Sequence, residues 1–278
     1  MPSLTLKPTS SILERITFET DLQISRNGTE SRLARRLHPE YRVELDFEET
    51  GDYNANARQV LEGLVDVVFE LPLHQFTVAN GELLIAGLSS ASERAYRQGE
   101  AITVASAAPA AYTHFAPVAP AKIIDTLAYT HQTNKHCSIK AAFRLAGFKE
   151  TISPSLAPAT ANDFNLGAIP LFAFKHNFVS SIGAELQQDA RALAGDGGGL
   201  VDFVRYTKKT CALDLTLASA LEIAKLRAFL FTVKGRKGAF KFLDPISGSL
   251  KTYRFAADAL EINYLSPTLA TARVSKMT

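Results

Sequence analysis

One order of signals occurs near both ends of the chain and constrains its fold more than any other feature. It runs alternating strand, capped helix, extended strand. In the first occurrence, Tyr41, Val43, Leu45 and Phe47 share one face, with Arg42, Glu44 and Asp46 on the other. Apolar residues at a period of two mark a half-buried strand. After the loop Gly51-Asp52-Tyr53-Asn54, the residues Ala57, Val60, Leu61, Leu64, Val65 and Val68 recur at helical spacing. Asn54 is the expected N-cap. Val60, Leu61, Leu64 and Val68 are its expected core side. Proline disfavours helix in the residue before it, so the helix stops ahead of Pro72 and Phe69–Leu73 is extended.

In the second occurrence, Cys211, Leu213, Leu215 and Leu217 share a strand face. Ser219 and Glu222 then form the S-x-x-E capping box, each side chain satisfying an exposed helix N–H. A helix from 220 to about 230 carries Ile223, Leu226 and Leu230 on one stripe. A strand, a Gly235–Gly238 turn and a second strand follow. Phe18 and Phe178 stand 160 residues apart, and Leu64 and Leu226 stand 162 apart. These matches predict a divergent internal duplication, with similar strand–helix–strand modules at 16–80 and 171–264.

The residues between the modules read differently. Short apolar runs at 83–87, 101–106, 122–130 and 137–143 are separated by turn-forming or polar residues, with Gly99-Glu100 and the Ala/Pro stretch 107–121 as connectors. This predicts a small β-barrel or β-sandwich inserted at 81–147. Residues 1–15 read as a lead-in, 148–170 as a Pro/Ala/Ser/Thr-rich linker and 265–278 as a C-terminal tail. The fold class expected is α+β and β-rich.

Composition narrows function mainly by exclusion. The chain has 278 residues, 46% hydrophobic and 21% charged, enough to bury a substantial core. Thirty basic against 28 acidic residues give a net charge of +2, which supplies no field for a polyanion. No run has the roughly 18–20 apolar residues of a membrane-spanning helix. The N-terminal residues lack the pattern of a secretory signal, so synthesis in a cytoplasm is expected. Cys137 and Cys211, 74 residues apart, are expected to be reduced. The motifs G-x-S-x-G, H-E-x-x-H, G-x-G-x-x-G and the phosphate loop are all missing. Gly197-Gly198-Gly199 lacks the Lys and Ser/Thr that a phosphate loop uses and reads as a surface loop. His131, His136 and Cys137 supply too few ligands for a closed zinc site, and Cys137 is expected to point into the β core. Arg32, Arg35 and Arg36 form R-x-x-R-R, which on a helix would bring 32 and 36 to one face. A second basic cluster is Lys234, Arg236 and Lys237. Both read as a solvated face or a contact with another protein ahead of a nucleic-acid site.

The stretch from Gly28 through Glu30, Arg32, Arg35 and Arg36 to Pro39 resembles the minor tail and distal-tail (baseplate) proteins of long-tailed bacteriophages and prophages. In that family a G-x-E-Q-R motif, a basic stretch and a proline precede an alternating strand, a short helix and an F-x-L-P-L segment. Here that segment is Phe69-Glu70-Leu71-Pro72-Leu73. A helix leading to a basic turn and an aromatic strand comes later in the family, and Lys234–Phe242 is similar to it. Ser31, His74 and Phe240 depart from the Gln, Trp and Trp typical of those positions. The resemblance is spread over most of residues 16–264. It implies a virion structural protein that forms a homo-oligomeric ring, six-fold or three-fold, at the tail tip. Its partners would be tail tube, hub, tape measure and fibres, with no catalysis and no cofactor. The expected interface residues are Gly28, Glu30, Arg32, Arg35, Arg36, Gly197, Gly198 and Gly199. The alternative function is a tail-associated carbohydrate- or receptor-binding module in which the inserted β unit presents Tyr96, Tyr112 and Tyr129.

Overall fold

Period-two alternation becomes strand, and each of the two apolar stripes carries a helix, in a computed structural model of the chain. The structure describes residues 1–9, 11–25, 30–36, 38–50, 54–78, 94–99, 101–133, 136–148, 153–175, 184–194, 200–244 and 247–277. For 184–194, 200–211 and 277 it describes the backbone alone. The first half contains β1 (Ile12–Thr17), β2 (Thr20–Ile24), β3 (Glu30–Ala34), β4 (Glu40–Glu49), helix α1 (Ala57–Gly63) and β5 (Phe69–Pro72). It continues with β6 (Arg94–Gln98), β7 (Ala101–Ala105), β8 (His114–Ile123), β9 (Ala128–Thr133) and β10 (His136–Leu145). The second half opens with β11 (Thr160–Asp163), β12 (Gly167–Phe172), β13 (Ala184–Ala194), β14 (Leu200–Leu217) and helix α2 (Ala220–Val233). It ends with β15 (Phe240–Leu243), β16 (Leu250–Phe255), β17 (Ala259–Ser266) and β18 (Leu269–Met277). The fold is β-rich, and the described residues form one mixed 16-stranded sheet and a separate β2–β3 hairpin.

Strand pairing follows the same circuit in each half. In the first, β1 pairs β4, β4 pairs β10, β10 pairs β9 and β8, and β8 pairs β5. In the second, β13 pairs β14, β14 pairs β18, β18 pairs β17 and β16, and β16 pairs β15. All ten pairings are antiparallel, and α1 and α2 occupy the same place in the order. Charges agree too: Asp46 stands opposite Lys140 as Asp214 stands opposite Arg273. A parallel contact completes each circuit, Ser3 against Glu70 in the first and Leu171 against Lys241 in the second. The halves meet where β1 pairs β17, from Ile12 opposite Tyr264 to Thr17 opposite Ala259.

Alternation in β4 works as read. Tyr41, Val43, Leu45 and Phe47 are buried, as are Leu213, Leu215 and Leu217 in β14, and Cys137 in β10. A single apolar cluster takes residues from both halves. In α2 the stripe Ile223, Leu226, Leu230 is buried. Ser219 Oγ accepts from the Glu222 N–H at 3.1 Å, and the Glu222 carboxylate accepts from the Ala218 N–H at 2.8 Å.

Several expectations are corrected. The β strands of 81–147 do not form a barrel of their own, because β8 and β10 pair with β5 and β4. The run 83–87 lies outside the described residues, as does Phe178. The connector 107–121 contains most of β8, in which Pro117 and Pro120 serve as carbonyl acceptors for the Leu73 and Ala146 N–H groups. Proline can occupy such positions because it gives up only a donor. The linker 148–170 contains β11 and most of β12, and the tail 265–278 contains β18. The lead-in is also structural: Leu4 is buried, and its N–H donates to the Glu70 carbonyl at 2.9 Å. Residues 232–233 end α2 rather than forming a strand.

Helix α1 is shorter than its stripe. Asn56, not Asn54, stands at its N-cap, and the Asn54 side chain instead bonds the Lys7 backbone. Gly63 ends the helix, and Asp66 is left-handed at φ 62°. Glycine weakens a helix end, and a left-handed residue cannot extend it. The buried side is therefore Ala57, Leu61 and Leu64, while Val60 is 37% exposed and Val68 is half-buried.

Candidate interaction surface

The basic segment singled out in the sequence lies on the β2–β3 hairpin and the chain just after it. Thr20 pairs with Ala34 and Ile24 with Glu30. Arg32 is therefore on a strand, not a helix, and its side chain is 4% exposed. It forms an ion pair with Glu30, and its Nη1 donates to the Arg236 carbonyl at 2.5 Å. That contact joins the two basic clusters of the sequence. Asp258 adds a second clamp, accepting from the Thr20 N–H and the Arg236 N–H, each at 3.0 Å. The hairpin is thus fixed to the turn that follows α2.

Two glycines permit this turn. Gly235 has φ +60°, and a Cβ there would lie 2.9 Å from Phe18 Cβ. At Gly238 a Cβ would lie 2.5 Å from the Val233 carbonyl oxygen, which also accepts the Gly238 N–H. Of the glycines read from sequence as a turn, Gly235 therefore makes room for the Phe18 and Asp258 side chains and Gly238 for the Val233 backbone.

Arg35 and Arg36 remain half-exposed. Arg35 bonds Asp21 at 2.7 Å, and Arg36 bonds Glu19 at 2.8 Å and Glu40 at 3.0 Å. The hydrogen bond to Asp21 and its charge push the Arg35 guanidinium further up. Exposed pairs of this kind contribute little because water and salt screen them, so they can exchange for a partner's carboxylates. Beside them, Leu33 is 65% exposed and Ile24 41%. Of the expected interface residues, the structure therefore brings Glu30, Arg32, Arg35 and Arg36 onto one hairpin and its exit. Arg32 is enclosed within the chain and not available to another. Gly28, Gly197, Gly198 and Gly199 lie outside the described residues.

Sequence reading missed one exposed aromatic. Phe164, at the tip of the β11–β12 hairpin, is fully exposed, with Leu166 half-exposed beside it. Asp163 holds the tip: its Oδ1 accepts from the Asn165 and Leu166 N–H groups, and its Oδ2 meets Lys241 at 2.8 Å. Lys241, the Thr252 hydroxyl and the Asn165 N–H hold this carboxyl well below the usual carboxylate range. The signal was present as Asn-Asp-Phe-Asn between two short runs, an Asx turn with a large apolar residue in it. Rigid exposed aromatics are favoured anchors at protein interfaces.

Other chemically active groups are enclosed. Glu14 of β1, Arg227 of α2 and Tyr264 of β17 are all buried. Arg227 pairs with Glu14, and the Tyr264 hydroxyl donates to Glu14 Oε2 at 2.8 Å. Burial and the Glu14 charge push the Tyr264 hydroxyl well up. This cluster closes the junction between the halves and has no opening to a substrate. Tyr96 is buried, its ring 5.0 Å from that of Tyr112 in edge contact, and Tyr129 donates to Glu62. The three tyrosines therefore do not make the open aromatic patch that the receptor-binding alternative requires. Among the described residues no group of three His, Cys, Asp or Glu is placed to hold a metal ion. A cavity of about 350 Å³ lies beside α2, lined by Leu156, Pro158, Phe174, Lys175, Glu222 and Lys225. Its carboxylate, Glu222, is engaged in the helix cap. No helix of the described residues is long and apolar enough to cross a membrane. No family model matches the chain, and no curated protein matches it.

Proposed function

We propose that this protein is a structural component of a bacteriophage or prophage tail tip, forming a ring at the distal end of the tail between tube and hub or fibres. The observation that carries this reading is the matched strand circuit of the two halves. We infer that the halves arose by duplication, with boundaries near 1–145 and 160–277 rather than those read from the sequence. A duplicated chain presents two similar surfaces, so three copies present six and match a six-fold tube to a three-fold hub. The family resemblance of the Gly28–Pro39 and Lys234–Phe242 segments gives the same assignment. Its partners are further copies of itself and the neighbouring tail proteins. The Arg35–Arg36 edge of the hairpin and the Phe164 tip are the surfaces offered to them.

Three measurements test this. Purified protein is expected to form a closed particle of three times the 30.2 kDa chain mass, visible as a ring by negative-stain microscopy. In tails from the source phage or prophage, antibody labelling is expected at the distal tip, and loss of the gene is expected to abolish assembled tails. Normal tails without the protein, or a chain that is a monomer at every concentration, overturn the proposal.

A further inference from the structure

The junction inside the chain indicates how one chain meets the next. Within the chain, β17 of the second circuit pairs with β1 of the first. The counterparts of these strands are β9, which pairs β10 as β17 pairs β18, and β13, which pairs β14 as β1 pairs β4. Among the described residues β9 pairs with β10 alone and β13 with β14 alone. Each half therefore has the same two edges, but only one of the two possible junctions is made inside the chain. Unpaired edges are templates for another strand, and a head-to-tail contact that closes on itself gives a ring.

We propose that the outer edge of β13 in one copy pairs antiparallel with the outer edge of β9 in a second copy, repeating the β1–β17 junction between chains. This rests on the ring reading above and names its contact. The register follows from the internal junction. Arg15 stands opposite Glu261 there, and an ion pair joins them. Arg15 is opposite Arg42 in β4, and its counterpart Glu185 is opposite Thr210 in β14. Glu261 is opposite Arg273 in β18, and its counterpart Ala128 is opposite Lys140 in β10. Glu185 of one copy thus faces Ala128 of the next. Each copy contributes one edge of each kind, so the halves alternate around the ring and each chain adds two modules.

The test is a pair of cysteines, Glu185→Cys with Ala128→Cys, in a chain also carrying Cys137→Ala and Cys211→Ala. Circular dichroism and thermal melting under reducing conditions check that the variant folds as wild type. Oxidation is expected to link chains into a ladder that stops at the size of the native particle. Each single-cysteine variant is expected to stay unlinked, because the contact is head-to-tail. Amide exchange across 128–133 is expected to slow at least tenfold on assembly. A particle of native size with no linkage and no change in exchange overturns the β9–β13 contact while leaving the ring intact. A chain that is a monomer by light scattering at every concentration overturns both.

Discussion

Arg32 and Arg227 carry full charges into places largely closed to water, and each has a carboxylate of its own chain to meet there. For Arg227 the partner is Glu14, 213 residues earlier, and the guanidinium also lies 4.9 Å from the Phe76 ring centre. Breaking a buried pair from one side leaves the other charge without compensation. Arg227→Ala is therefore expected to cost about 3–5 kcal/mol in urea unfolding. Replacing both partners, Arg227→Met with Glu14→Gln, is expected to recover most of that loss. Equal losses for the single and double variants would show that the pair is not the cause. In the sequence, Arg227 stood beside the apolar stripe of α2, but nothing local connects it to Glu14.

Helices were legible through their stripes, and their lengths through their ends. The capping box of α2 is complete within four residues, so it could be read directly, and the apolar stripe it introduces is buried. Helix α1 has no side-chain cap and stops at Gly63, so its later valines never reach the helix face that the stripe implies. Leu61→Ala is expected to cost about 2–5 kcal/mol, the range for truncating a buried leucine. Val60→Ala is expected to stay within about 0.5 kcal/mol, as for surface sites. Denaturant unfolding of the two variants side by side checks the face, and equal costs would refute it.

At the scale of the molecule, the segments that looked peripheral hold the sheet together. Strand β18, in what the sequence presents as a tail, pairs with β14, β16 and β17. Removing residues 265–278 would strip partners from all three and bare the apolar positions Ala270, Ala272 and Val274 cover. The truncated chain is expected to be insoluble or to lose its cooperative thermal transition. A soluble product with a melting temperature near wild type would contradict the pairing. The same reasoning makes residues 1–9 intolerant of deletion, since Leu4 and Leu6 are buried and Leu4 bonds Glu70.

What the amino-acid order determined by itself was local: the faces of β4 and β14, the cap and stripe of α2, the turn at Gly235–Gly238, and the recurrence of one order at both ends. Each is set by interactions within a few residues, where periodicity and capping chemistry act. Tertiary structure decided the rest. Whether 101–145 stands apart or completes the first circuit depends on which strand edges meet, and β-strand pairing carries almost no signature of its partner. Pro117 and Pro120 read as breakers in isolation, and became strand residues because neighbours asked them only to accept. Arg32 read as a surface charge, and became buried because the turn after α2, some 200 residues later, presents the Arg236 carbonyl to it. Long-range partners of this kind are set by the closing of the sheet.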